Sequence, residues 1–339
     1  MKSVLGRRGV APSWSVQRPF GWRTLIGLVI ILVIMGDSAH RLGLERIFIQ
    51  TGEAIAASVG LQERSQLGDA VGRITGEMFP ITIEERKPVT RIENFDEARL
   101  PPFSHLESVD VQEQVLNSDT LQLETVTHTQ RVLVEPAGYL LYVLTKMVET
   151  IEIAIWATIF AIVMSLPLAY LSARNYTPHF VIYGAARGVV SFFRSMPELI
   201  TALFLVIAFG FGPVAGILAL TLHGAGFLGK FYADDIEAAD KRPQEALQAI
   251  GAGQLSILRL AVIPQVLPSF TAQTLYLLDR NIRMAAVVGL VGGGGIGQEL
   301  KGRYDLFEYD RVGTILLVLF ITVVGLDQIA SRIRRHLLS

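Results

Sequence analysis

QEALQAIGAGQLSILRLAVIPQVLP, residues 244–268, is a polar corner between long apolar runs. Pro243, just before it, suits the first turn of a helix, where a missing N–H has no intrahelical partner to lose. The run that follows is amphipathic at helical spacing. Gly251 and Gly253 can adopt the left-handed geometry that stops a helix and turns the chain. A second helical run, Gln254 to Val262, is expected to end near Pro264, since proline lacks the donor that a helix interior requires. The polar face of Glu245, Gln248 and Gln254 has no place in lipid. Two short helices meeting at a corner between apolar spans therefore predict a docking element outside the bilayer.

Composition sets the surroundings of that corner. Hydrophobic residues make up 51% of the chain and charged residues 18%, with a mean hydropathy of +0.43. Soluble chains are nearer a quarter charged, so this chain is expected to be membrane-embedded. The absence of cysteine excludes disulfides, thiolate metal sites and a Cys nucleophile. The six histidines show no ligand spacing, so no metal site is expected.

Charge along the chain orients it. Lys2, Arg7, Arg8, Arg18 and Arg23 come without an acidic residue, which predicts a cytoplasmic tail over 1–23. A first transmembrane helix over 24–36 follows. The segment 37–136 turns acidic and is assigned to the periplasmic or interfacial side. Within it Ile47–Phe79 has helical periodicity suited to the membrane surface, and Pro101-Pro102 separates the halves. Leu121, Leu123 and Thr125, with Val132 and Val134, alternate with period two and predict a strand pair. Two readings of this segment stand: a small domain that helps receive a binding protein, or a solvated insertion.

The remaining 137–339 reads as a transmembrane domain. Spans are expected at Glu149–Ala173, Leu199–Phe209, Val214–Phe231, Ser269–Val291 and Val312–Leu326, with Val181–Arg194 as an interfacial helix. Arg332, Arg334 and Arg335 place the C-terminus in the cytoplasm. The whole is an all-α membrane protein of about six transmembrane helices with both termini inside and short strands in the outer insertion. That topology puts the loop 235–268 in the cytoplasm.

The spacing Glu245-Ala246-Leu247, Gly251, Pro264 resembles the EAA coupling loop of ATP-binding-cassette importer permeases. Leu247 replaces the second Ala of that pattern, Ala261 its Ile and Ile263 its Leu, swaps that keep small or apolar character. The stretch from Val148 to Asn175, the segment RSMPEL, and RNIRMAAVVGLVGGGGIGQEL extend the likeness over 149–339 to the permeases of phosphonate importers. The resemblance implies the type I importer architecture and a homodimeric pathway in the bacterial inner membrane. It further implies two ATP-binding subunits docked on the coupling loops and a periplasmic or lipid-anchored substrate-binding protein. Glu245, Ala246, Gly251 and Pro264 are then coupling residues rather than catalytic ones. ATP and Mg2+ are expected on the partner subunit, because G-x-x-x-x-G-K-[ST] is absent from this chain. No nucleic acid is implied, and lipid surrounds the spans.

Three constellations remain. Asp279-Arg280-Asn281-x-Arg283 places charge inside a span, where charge is expensive and marks function by default. Arg283 and Asn281 either offer donors to an anionic substrate, or Asp279 and Arg283, four apart, form an ion pair that locks helix packing. Arg194, in RSMPE, either lines the substrate pathway or anchors an interfacial helix at the headgroups. Gly292, Gly293, Gly294 and Gly295 read as a helix break or gate; the literal G-x-G-x-x-G here lacks the βαβ setting of a nucleotide site. A secondary transporter would show repeats or paired broken helices, and no clear repeat is visible. A membrane-anchored enzyme would need a nucleophile–base pair in 37–135, and none is found.

Overall fold

The computed structural model describes residues 22–59, 65–93, 95–97, 100–116 and 123–338. It divides into two compact units that meet in sequence at Thr75/Gly76. In the first unit, α1 (Trp22–Arg41) and α2 (Leu44–Ser58) form a pair bent by 68°. The bend falls at Gly43, whose φ of 65° suits glycine. Leu28, Val29, Ile31, Leu32 and Met35 of α1 are all exposed, as expected of a helix bathed in lipid. The first transmembrane helix expected over 24–36 lies within this 20-residue helix. The basic residues before Trp22 lie outside the described residues.

The helix α3 (Gln66–Met78) leads across the boundary into the second unit, where a small sheet precedes the helical bundle. Strands β1 (Glu85–Pro88), β2 (His105–Leu116) and β3 (Leu123–Glu135) pair antiparallel in the order β1-β3-β2. The strand expectation is corrected in one respect. Leu123, Thr125, Val132 and Val134 belong to a single strand, and its main partner is β2, with Leu106 opposite Leu133 and Asp110 opposite Thr129. Leu121 lies outside the described residues. The polar middle of β3 hid its continuity, but Thr125, Thr127 and Thr129 are β-branched and favour the extended chain.

β3 runs directly into α4 (Gly138–Ser172), the longest helix at 35 residues. A span beginning at Glu149 was too short an expectation. Lys146 pairs with Glu149 at 2.7 Å, three residues on, which lets the charges ride on a continuing helix. After it come α5 (Phe180–Ser195), α6 (Glu198–Phe209), α7 (Pro213–Ala238), α8 (Lys241–Ala249), α9 (Gln254–Ile257), α10 (Ile263–Gly289), α11 (Gly295–Asp305) and α12 (Tyr309–Leu338). α6 has only 12 residues, about 18 Å, well short of a ~30 Å hydrocarbon core. It meets α5 at 91°, so the expected separate span at 199–209 and interfacial helix at 181–194 are two arms of one bent pair.

Among the described residues, α4, α7, α12 and the run Gln254–Gly289 are long and apolar enough to cross a membrane, and the two bent pairs bring the number to as many as six. The core sits between α4 and α7, with Ala154, Ala157 and Ala161 buried on one and Ala215, Ala219 and Ala225 buried on the other. Small residues let the backbones approach, which substitutes for the hydrophobic drive that lipid cannot supply. A Cβ added to Gly224 would stand 2.9 Å from that of Ala161.

Candidate functional site

The corner forms as its residues require. Asp240 caps α8, accepting from the Arg242 N–H at 3.0 Å. Gly251, with φ of 83°, ends the helix, and the Ala252 N–H returns to the Leu247 carbonyl at 3.0 Å. Glu245 and Ala246 are exposed on α8, while Ile250 and Leu255 are 80% and 75% exposed on either side of the turn. The expected stop at Pro264 is corrected: α9 passes through a π-helical turn, Leu258–Val262, straight into α10. Pro264 lies in the first turn of α10, directly after the π-turn, and the helix runs on through it. The second arm of the corner is thus one rigid piece with a membrane span.

Two hydrogen bonds fasten the corner, and a charged cluster stands beside them. The Tyr176 hydroxyl donates to Gln244 at 2.9 Å, and burial pushes its pKa above the ordinary value. The Gln265 side chain accepts from the Asp240 N–H at 3.0 Å. Beside them, the Arg187 guanidinium bonds the Ser172 carbonyl at 2.8 Å, Asp234 at 2.9 Å and Glu237 at 3.0 Å, joining the end of α4 to α5 and α7. This cluster escaped sequence reading because its members lie up to 65 residues apart.

The charged run on α10 separates into distinct roles. Arg283 pairs with Asp279 at 2.9 Å, with side-chain exposures of 44% and 11%. Asn281 points the other way: it is 3% exposed and its amide donates to Thr158 Oγ1 of α4 at 2.9 Å. The donor expected to face a pathway is here engaged between α10 and α4, as a buried amide must find its partner within the bundle. Arg194 is exposed at the end of α5.

The glycine run is a crossing point of four helices. Gly292, Gly294 and Gly295 have φ of 98°, 86° and 68°, turning the chain from α10 into α11. The Gly292 carbonyl accepts from the Gly212 N–H at 2.9 Å, just ahead of α7. The free donors at the start of α11 are met from α4: the Gly295 N–H donates to Glu149 at 3.0 Å and the Ile296 N–H to Thr150 at 2.8 Å. These orphan amides and their dipole favour the carboxylate of Glu149. Replacing Thr150 with Val removes an acceptor from a buried N–H at nearly constant volume and is expected to cost about 1–3 kcal/mol. A thermal melt of the purified protein should show that loss, and Thr150→Ser should keep most of the stability. An unchanged melt for Thr150→Val would mean that the amide has another partner.

At the far end of α11, Arg303 bonds Glu299 at 2.6 Å and Glu308 at 2.8 Å. Burial alone would lower its pKa, but these bonds outweigh it and hold the guanidinium above its ordinary value.

The model of the family described as "Binding-protein-dependent transport system inner membrane component" matches residues 140–337. The chain belongs to this family. The permease is 54% identical over 261 residues to HtxE of Stutzerimonas stutzeri, a permease protein named for a phosphite transport system, covering 77% of this chain and 100% of that one. PtxC of the same organism, a phosphite transport system permease protein, is 42% identical over 190 residues, or 56% of this chain and 69% of its own length. Among solved structures, a chain of the MetNI methionine ABC transporter in an inward-facing conformation aligns with a TM-score of 0.50 at 23% identity. That alignment covers 57% of this chain and 95% of the other, and it supports the fold alone. The permease is therefore an inner membrane component of a binding-protein-dependent transport system, with the type I permease architecture.

Proposed function

We propose that the permease forms the translocation pathway of an ATP-driven importer for a small phosphorus oxyanion, phosphite or a phosphonate. The observation that carries the reading is the α8–α9 corner, which exposes Glu245 on its first arm and Ile250 and Leu255 at its turn and continues without a break into α10. The names of the two Stutzerimonas relatives support the substrate class. Two copies of the chain enclose the pathway, and both termini face the cytoplasm. Two ATP-binding subunits dock on the corners and hold ATP and Mg2+, while a binding protein delivers substrate from outside. When ATP closes the two ATPases, each corner moves with them. Because α9, the π-turn and α10 are one piece, that motion reaches the span directly and switches the pathway between inward-facing and outward-facing forms.

Uptake of phosphite as sole phosphorus source, by cells lacking other phosphite uptake, tests this reading. The complete transporter should support growth, and Glu245→Ala should abolish it while the protein stays in the membrane and an ATPase still co-purifies with the unmutated permease. Full uptake by Glu245→Ala, or uptake by the isolated chain without an ATPase, would remove the coupling assignment.

Arg283 is the more exposed member of its pair and is proposed to meet the passing anion. Arg283→Ala is expected to lower phosphite uptake about tenfold, a loss of ~1.4 kcal/mol, without weakening ATPase docking. The double change Asp279→Asn with Arg283→Ala separates binding from packing. If the double variant recovers uptake, the harm came from an unpaired Asp279 and Arg283 is structural.

A further inference from the structure

Glu198 opens α6 directly after Pro197, at the sharp bend from α5, and groups from two other helices converge on its carboxylate. Arg280 of α10 forms an ion pair with its Oε1. His223 of α7 faces the same oxygen through Nε2 at 3.4 Å. The other ring nitrogen of His223 lies 3.3 Å from the Met196 carbonyl, within the bend itself. The side chains are largely enclosed, at 13% exposure for both Glu198 and His223 and 26% for Arg280. Arg194 lies within electrostatic reach of His223.

The proton inventory follows from donor and acceptor rules. The Met196 carbonyl can only accept, so His223 Nδ1 carries a hydrogen and donates it. Nε2 then faces a carboxylate oxygen, and two acceptors repel unless one more proton sits on the imidazole or the carboxyl. In either arrangement Glu198 and His223 together are neutral. Arg280 leaves the cluster with a positive charge, and Arg194 adds another nearby. Glu198 is thus the carboxyl group on which Arg280 and His223 converge, with Arg194 nearby, in a place where an uncompensated cation is costly.

We propose that Glu198 is an internal stand-in for the transported oxyanion. An incoming tetrahedral oxyanion accepts from Arg280 and His223, displaces the Glu198 carboxylate, and frees α6 to swing about its bend with α5. A guanidinium offers paired donors that match two oxygens of such an anion better than the one oxygen Glu198 supplies. Because the anion gains those donors only when Glu198 has left, it favours the released form, which is the condition for a ligand to shift an equilibrium. The substrate class rests on the proposed function above; the lock formed by Glu198, Arg280 and His223 does not.

The absence of cysteine from the chain makes the test clean. Ile200→Cys on α6 and Tyr276→Cys on α10, positions 49% and 47% exposed, carry spin labels on the full chain in lipid nanodiscs, and dipolar EPR reads their separation. Millimolar sodium phosphite is compared with sodium chloride of equal ionic strength. Phosphite should shift the distance distribution and chloride should not. Glu198→Gln, nearly isosteric but unable to form the ion pair, should show the shifted distribution with no anion added, and should lower phosphite uptake in cells about tenfold, within the usual range of coupling energies. A distribution that phosphite leaves unmoved, or that chloride moves equally, overturns the exchange. An unshifted Glu198→Gln overturns the lock. If phosphite leaves the labels unmoved while cells expressing the permease take it up, the gate falls and the proposed function stands. If cells take up no phosphite and Glu198→Gln is shifted, the substrate class falls, and the exchange with it, while the lock remains.

Discussion

Gly251→Val is expected to abolish substrate uptake while leaving the permease folded and in the membrane. Gly251 holds a φ of 83°, a left-handed value at which a β-branched side chain is a genuine outlier. The space around it is open, with nothing within 4 Å of an added Cβ, so the change is backbone strain and not collision. Strain of about 1–3 kcal/mol is relieved by turning α8 away from α9, because the corner rests on only a few hydrogen bonds to the bundle. Glu245 on α8 would then no longer keep its orientation relative to α9, and a docked partner would lose its purchase on α10. Asparagine tolerates the left-handed region, so Gly251→Asn should retain a substantial part of uptake. Equal loss with Val and Asn would show that a side chain is excluded at the docking face whatever the backbone does. Normal uptake with Val would show that the corner bears no force.

Gly297→Val should have the larger effect on the fold itself. A Cβ on Gly297 would collide with the Ala286 carbonyl oxygen and approach Gly289 Cα to 3.0 Å. Both neighbours are backbone, so no rotamer change relieves the clash, and α11 must move away from α10. That movement would also pull Gly295 and Ile296 from Glu149 and Thr150, adding unsatisfied amides to the overpacking. Together these amount to about 3–5 kcal/mol, a large part of a typical folding free energy. The expected outcome is a fall in melting temperature on the order of 10 °C, with little protein recovered from membranes. Gly302→Ala lies on the same helix, with nothing within 4 Å of its added Cβ, and should be neutral or slightly stabilising. If the two variants melt alike, the close approach at Gly297 carries no energetic weight.

These two glycines differ in how visible they were. Gly251 was legible because the features around it are local: an amphipathic run, a stop and a restart within a couple of dozen residues. Gly297 could be read only as part of a glycine-rich break, since its partner Ala286 is supplied by the return of the chain. The same distinction runs through the charged residues. Asp279 and Arg283 sit four apart on one helix, a spacing that left pairing as one of two open readings, and they pair at 2.9 Å. Arg280, between them in sequence, finds Glu198 82 residues away, and Asn281 finds Thr158 at a separation of 123. No periodicity connects such pairs.

The amino-acid sequence by itself determined the membrane class, the apolar helices, the polar corner with its glycine turn, and the spacing that lets Asp279 and Arg283 meet within α10. These follow from composition and from intervals of one or two helical turns, which chain geometry converts directly into faces and breaks. Tertiary structure alone decided that α9 flows into α10 through Pro264, that α5 and α6 are arms of one bend, and that β3 pairs with β2. It alone set Asn281 against Thr158, Glu149 against the start of α11, and Glu198 between Arg280 and His223. Each of these depends on which distant backbone arrives alongside, and in this bundle stripes of alanine and glycine set that approach. Small side chains record how near another helix can come, but not which helix it is.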